Sequence, residues 1–403
     1  MPTIVSKNLV IRQVIGEFVS HIPPLWQDAY AKKLFTWNTS LLYLFGILQQ
    51  CRSVGSIAGY LASTPWMQKW TDLESIDPSA LNRRLNDLPT DMLKQIFVEL
   101  IAKYASDYGL PQPMKHLGAL AAVDASSITL GKVRGEWAYQ QRGQNAVKLH
   151  VRLDLTGESS GVPSRVVLST ATVADLDKEV TSVLLKERQV TYLLDRGYLD
   201  YRQYITWSQK NIRFVARIKA NSKMKVIRKQ APLASNVEQD AVVEFAHPDT
   251  GACEQLRLIV YTYVDAKGKR HRVRVLTNRW DVSAEDVSQM YRYRWKVELF
   301  FKFMKQQLGL KKMYSAKPQA VWNQIYLHLI AYMLLEHCRQ QVKPTYKRGE
   351  WIRLLRAYLE QPWATLLKHL QKPKQRTSRG RRKKGGRPRK HPKRLKPKRI
   401  LYW

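Results

Sequence analysis

Between residues 115 and 220 the chain alternates strand-like with helix-like runs, and this alternation limits the fold more than any other feature. Segments at 118–124, 147–155, 164–171, 190–195 and 212–218 read as strands, and segments near 177–188 and 199–209 as helices. Two of the strands close on an acid. The run from Leu117 to Val123 ends at Asp124, before Ala125-Ser126-Ser127, and Val190 to Leu194 ends at Asp195, before Arg196-Gly197-Tyr198, with Gly197 as the turn residue. In a sheet flanked by helices, ligands gather just beyond the carboxyl ends of the strands, so these two acids can share one crevice. A single Asp in such a place is more often a cap or turn former.

A third acid lies farther along. Tyr291, Arg294, Glu298 and Lys305 follow Y-x2-R-x3-E-x6-K spacing, and steps of 3, 4 and 7 keep them on one helical stripe. A carboxylate, two cations and a phenol on one face suit a hard metal ion and a phosphate chain. The competing reading is a solvated, ion-paired helix face. The flank Trp295, Leu299 and Phe303 is apolar, so the helix is expected to dock along it.

Val123-Asp124-Ala125-Ser126-Ser127, Leu193-Leu194-Asp195-Arg196-Gly197-Tyr198 and the Tyr291/Arg294/Glu298/Lys305 array resemble the three motif blocks of the bacterial DDE transposases with the YREK signature, the insertion-sequence family usually numbered four. The resemblance spans about residues 115 to 335, in the family's order. It implies that Asp124, Asp195 and Glu298 are the catalytic, metal-binding triad, and that Tyr291, Arg294 and Lys305 hold phosphates around the cleaved end. The implied cofactor is Mg²⁺, as two ions, with Mn²⁺ able to substitute. The implied partners are double-stranded DNA, both the element's inverted repeats and the target, and a second copy of the chain in the DNA complex. The family also carries a strand-rich insertion between the second Asp and the Glu, which here are separated by 102 residues. Two other readings stay open: a noncatalytic DNA-binding derivative of such an enzyme, and a host nuclease or resolvase with a ribonuclease-H-like core.

The expected fold class is α/β: a ribonuclease-H-like catalytic core with a β-strand insertion, preceded by a helical N-terminal domain and followed by C-terminal helices and a disordered basic tail. The boundaries are 1–112 for the helical DNA-binding domain, 115–220 and 280–345 for the two parts of the core, 221–279 for the β-rich insertion, 346–371 for a helical segment and 372–403 for the tail. In the first part, Asp77-Pro78 reads as a cap and first-turn proline opening a helix that could project Asn82, Arg83 and Arg84 at DNA; an ordinary packing helix fits as well. Ile325 to Leu335 reads as a buried helix, being too short and too polar at His328 to cross a membrane. Trp280 and Trp295 are candidates to stack on an unpaired base, although core packing is the commoner role of Trp. His150 reads better as a satisfied sheet histidine than as a catalytic group.

Charge points to a polyanion: 68 Lys+Arg face 32 Asp+Glu, a formal net charge of +36. Sixteen of these cations fall within 372–403, a stretch with no acid that is too polar to build a core. Within it, Lys384-Gly385-Gly386-Arg387-Pro388-Arg389-Lys390 resembles an AT-hook, so Arg387 and Arg389 are candidates for a narrow minor groove, with a plain polycation as the simpler reading. Three well-separated cysteines indicate neither a disulfide framework nor a zinc site, and the expected location is cytoplasmic and nucleoid-associated, with no membrane partner.

Overall fold

The computed structural model describes residues 8–25, 28, 34–109, 115–131, 135–141, 144–156, 161–230, 235–246, 251, 253–342 and 346–371. The chain opens with helices α1 (Val10–Leu25), α2 (Thr36–Gln49), α3 (Val54–Ser63), α4 (Pro65–Thr71), α5 (Pro78–Asp87) and α6 (Thr90–Tyr108). Local chemistry accounts for their starts. Ser53 accepts from the Ser56 amide at 3.1 Å to cap α3, and Asp77 accepts from the Ala80 amide at 3.0 Å to cap α5, with Pro78 in the first turn. Leu81 and Leu85, one turn apart, seat α5 on the core, and the Tyr43 hydroxyl of α2 donates to the Leu81 carbonyl at 3.0 Å.

Strands and helices then alternate: β1 (Ala119–Leu130), β2 (Tyr139–Gln141), β3 (Gln144–Leu155), β4 (Gly161–Thr170), α7 (Lys178–Leu184), β5 (Val190–Leu194), α8 (Tyr201–Gln209), β6 (Arg213–Arg217), β7 (Lys225–Gln230), β8 (Val237–Ala246), β9 (Cys253–Val264) and β10 (Arg270–Thr277). They form one sheet in the order β4-β3-β1-β5-β6-β10-β9-β8-β7, with β2 paired to the start of β3. β1 runs antiparallel to β3 and parallel to β5, and β5 runs parallel to β6. Strands β7–β10 make up a strand-rich stretch between Lys225 and Thr277. It extends the same sheet, because β10 pairs with β6 from Val275↔Arg217 to Thr277↔Val215.

Alternation along the strands sorts side chains to two faces. Ala121, Val123, Tyr192, Leu194 and Phe214 face α7 and α8, where Leu184, Tyr204 and Trp207 complete a core. Leu120, Ala122, Leu193 and Val215 face the other way, into a larger core. That second face is covered by α9 (Ala284–Tyr293), α10 (Trp295–Gln306) and α11 (Pro318–Val342), with α12 (Arg348–Tyr358) and α13 (Trp363–Gln371) beyond. The result is a mixed α/β architecture with a large central sheet and flanking helices.

The buried helix expected at Ile325 to Leu335 is there but longer, since α11 buries polar Asn323, Gln324, His328, Glu336 and His337 as well as its apolar residues. Each of these five side chains makes at least one polar contact, as burial favours, although the Nδ1 of His337 has no hydrogen-bond partner among the described residues. Asn323 donates to the Leu85 and Leu88 carbonyls at 2.8 Å each, and Glu336 pairs with Arg348 at 2.8 Å, joining α11 to α12. Elsewhere Arg257 holds Asp240 through two bonds of 2.9 and 2.6 Å and donates to the Val282 carbonyl at 2.6 Å, fixing the chain just before α9.

Candidate active site

The register of β1 against β5 assembles the site. Val123 pairs with Leu194, so the next residue on each parallel strand is an aspartate, and alternation turns Asp124 and Asp195 together to the face covered by α10. Each carboxylate accepts from the amide that follows it, Asp124 from Ala125 at 2.8 Å and Asp195 from Arg196 at 2.7 Å. β5 ends at Leu194, as expected. β1 does not end at Asp124: Ile128 and Thr129 suit a strand, and pairing with β3 continues to Leu130↔Asn145. Asp124 therefore lies where β1 loses β5 as a neighbour, and the edge beyond it is open. Lys305 of α10 uses that edge, donating through Nζ to the Ser127 carbonyl at 2.9 Å.

α9 and α10 together carry the third acid. The Ser283 and Asp286 capping box starts α9, and the chain breaks helical pairing at Arg294 while keeping helical dihedrals (φ −51°, ψ −35°). Arg294 is buried, pairs with Glu298 one turn on, and lies 5.8 Å from the ring of buried Tyr291. The expected docking flank is corrected here: Trp295 is 57% and Leu299 41% exposed, and only Phe303 of the three is buried. α10 seats on Val297, Phe300, Phe301 and Met304, whose i, i+3, i+4, i+7 spacing makes the wider apolar stripe.

Electrostatics tie these groups together. Burial raises the Asp124 carboxyl to about 6; Asp195 and Glu298 push the same way, while the Ala125 amide and Arg294 oppose. Lys305 is shifted down by burial and by Lys311, with Asp124 pulling it back. The donor set of three carboxylates suits a hard cation. As they stand, no three His, Cys, Asp or Glu side chains among the described residues form a ready metal cluster, and Glu298 is engaged by Arg294.

A family model for the transposase DDE domain matches residues 116–334, just over half of the 403 residues. The chain belongs to that family. The "probable transposase for insertion sequence element IS5377" of Geobacillus stearothermophilus is 28% identical over 272 residues, 66% of this chain and 68% of the relative. A Sinorhizobium fredii protein whose name assigns it as a transposase is 27% identical over 272 residues, covering 65% and 74%. A Synechocystis protein named for the insertion sequence element IS4SA is 25% identical over 198 residues, covering 48% and 54%. Membership makes the chain a transposase with DNA as its partner, and the family's nuclease and transferase chemistry in general uses divalent metal. No helix among the described residues is long and apolar enough to cross a membrane.

The other sequence candidates fall outside this cluster. Arg83 is exposed on α5, whereas Arg84 is tied to Asp28 at 2.5 Å and to the Thr36 hydroxyl at 3.2 Å, holding α5 to the start of α2 rather than projecting outward. Arg387 and Arg389 lie outside the described residues. Trp280, like Trp295, is exposed, against the core packing that is commoner for Trp. His150 is buried in the sheet on the opposite face; its Nε2 bonds to Ser169 at 2.9 Å, while Nδ1 has no hydrogen-bond partner among the described residues and lies 3.7 Å from Asp175, so it is only half satisfied, and burial first, then Lys148, lowers its pKa to about 4 against the opposing Asp175. Sequence reasoning missed the Ser127 carbonyl as the anchor of Lys305 and missed Lys311 beside it. Neither has a signal in a motif, because one is a backbone group and the other is set by a loop.

Proposed function

We propose that this transposase binds the terminal inverted repeats of an insertion sequence, hydrolyses the phosphodiester at each end with a divalent metal, and joins the freed 3′-hydroxyl to target DNA. In this reading it belongs to the YREK subfamily, has a ribonuclease-H-like core, and works in the cytoplasm on nucleoid DNA. One observation carries it: parallel β1 and β5 set Asp124 beside Asp195 on the sheet face where α10 brings Glu298, Arg294 and Lys305. Three antiparallel strands followed by two parallel ones, in the order β4-β3-β1-β5-β6, support the ribonuclease-H-like assignment.

Asp124, Asp195 and Glu298 would hold Mg²⁺, for which Mn²⁺ substitutes, and Glu298 reaches it by leaving Arg294. Two such ions, when bound, activate the attacking oxygen and stabilise the leaving one. Arg294, released from Glu298, and Lys305 bind non-bridging phosphate oxygens, while the Tyr291 ring supports the guanidinium. Water forms a bond to phosphorus as the bond to the 3′ oxygen breaks, leaving a 3′-hydroxyl and a 5′-phosphate. In joining, that hydroxyl attacks a target phosphorus and a target 3′-hydroxyl departs. Two ends joined in one event call for two protomers.

The test is cleavage and joining of a duplex carrying the element end. Asp124→Asn, Asp195→Asn and Glu298→Gln are each expected to lower Mg²⁺-dependent cleavage by about 10³-fold or more while leaving end affinity within roughly threefold. Lys305→Ala should weaken end binding and joining but not metal binding, and Tyr291→Phe should be mild. A wild-type chain that binds ends yet is inert with Mg²⁺ and Mn²⁺ would favour a noncatalytic DNA-binding protein. One that cuts but never joins would favour a nuclease or resolvase.

A further inference from the structure

A groove of about 1020 Å³ lies against the far end of β1, the strand that carries Asp124, and is walled by Thr129 to Gly131 on one side and by the stretch Lys311–Lys317, between α10 and α11, on the other. A neighbouring recess of about 470 Å³, sharing Arg52, Asn82 and Tyr314, carries it to Arg83 on α5. Arg52, Arg83, Lys311, Lys312 and Lys317 line the two, all exposed, and among the described residues no carboxylate does. Among the described residues none of the five is in an ion pair. An ordinary solvated surface mixes both signs, whereas this one concentrates a single sign in a concave place, which focuses the field and attracts a polyanion.

The groove is also prebuilt. The Lys311–Lys317 stretch has no helix or strand, yet its backbone is clamped on several sides. Gly309 (φ +78°) turns the chain out of α10. Gln324, fully buried on α11, donates to the Lys312 carbonyl and accepts from the Tyr314 amide, both at 2.8 Å. The Trp137 indole donates to the Ala316 carbonyl at 2.7 Å, and the Tyr314 hydroxyl to the Cys51 carbonyl at 3.0 Å, beside Arg52. A buried amide satisfied at both ends fixes the loop's position, so the three lysines are presented from a rigid base and less ordering entropy is lost when a ligand binds.

We propose that this groove is a track for the phosphodiester backbone of duplex DNA, running from Arg83 of the N-terminal helices past Lys311–Lys317 to the far end of β1, the strand that carries Asp124. The inference rests on reading the chain as a DNA-processing transposase, but its test needs binding alone. The full chain with Lys311→Ala, Lys312→Ala and Lys317→Ala is compared with one carrying Lys178→Ala, Lys186→Ala and Lys210→Ala, which removes the same charge from the α7 and α8 side of the sheet. Fluorescence anisotropy over a salt series, with an element-end duplex and an unrelated duplex, gives the slope of log affinity against log salt. The groove variant should lose about two to three units of slope, because each phosphate contact contributes about 0.9. It should bind at least tenfold more weakly near 0.1 M salt, and lysine-to-arginine replacement should restore both. Loss on the end duplex alone makes the track a holder of the element end; equal loss on both makes it a general duplex track that target DNA also uses. An unchanged slope on both duplexes, or an equal loss in the α7 and α8 variant, overturns the proposal. If wild-type protein fails to cleave, the proposed function falls while this comparison still stands.

Discussion

At the residue scale, Asp124 is held in an environment that disfavours its own charge. Its carboxyl titrates near 6 in the folded chain against 3.8 unperturbed, with burial as the largest cause. The folded state thus binds this proton more tightly than the unfolded chain. The contribution to stability, on the order of 3 kcal/mol, is full below pH 3.8 and is lost as pH rises through 6. Asp124→Asn is therefore expected to raise the melting temperature of metal-free protein by a few degrees at pH 8 and to leave it nearly unchanged at pH 4, read by thermal denaturation. Added Mg²⁺ should raise the wild-type value more than that of the variant. A lower melting temperature for the variant at pH 8 would show that the carboxylate is not strained. Both Asp124 and Asp195 could be singled out in the sequence because each follows an apolar run, although only Asp195 follows a strand end, β1 continuing to Leu130. The Arg84 to Asp28 pair was not, since its partner lies 56 positions away and helical spacing says nothing of it.

At the element scale, spacing identified the helix bearing Glu298 but misread how it lies. Steps of four through Trp295, Leu299 and Phe303 suggested the docked flank, while the stripe that seats α10 is Val297, Phe300, Phe301 and Met304. Phe300 meets Tyr332 of α11 edge-on at 4.9 Å, so it carries the joint between the two helices. Phe300→Ala is expected to cost about 3 to 5 kcal/mol, and Leu299→Ala to stay within about 0.5 kcal/mol, in chemical denaturation. Equal costs would return α10 to the flank read from sequence. The five strands and two helices of the core matched their expected segments to within a few residues, β1 excepted, because period-two and period-3.6 patterns are local. The attachment of β10 to β6 and the full length of α11 were not legible. The first is a pairing between residues about 60 positions apart. The second is a helix buried on all sides, whose polar residues are satisfied by tertiary partners and so break the apolar run that marks it.

At the scale of the whole molecule, charge and connectivity divide the labour of holding DNA. The first described helix is tied to the later ones, with the Val10 amide donating to the Gln361 carbonyl at 2.9 Å and the Ile11 amide to the Leu359 carbonyl at 3.0 Å, which fastens α1 to the α12 to α13 region. The 372–403 stretch continues from that region and holds sixteen of the net +36 charges, which leaves +20 on the rest. Affinity for any duplex scales with the phosphates neutralised, so deleting 372–403 is expected to weaken nonspecific binding and flatten the slope of log affinity against log salt. Cleavage of a pre-bound end should survive, because Asp124, Asp195 and Glu298 lie outside the deleted stretch. Replacing Arg387 and Arg389 with alanine separates two ways in which the stretch could act. If the pair enters a narrow minor groove, the loss is larger on A·T-rich than on G·C-rich duplex, since groove width sets the negative potential that draws arginine. An equal loss on both makes it a plain polycation, and a deletion that leaves the salt slope unchanged removes it from DNA binding altogether.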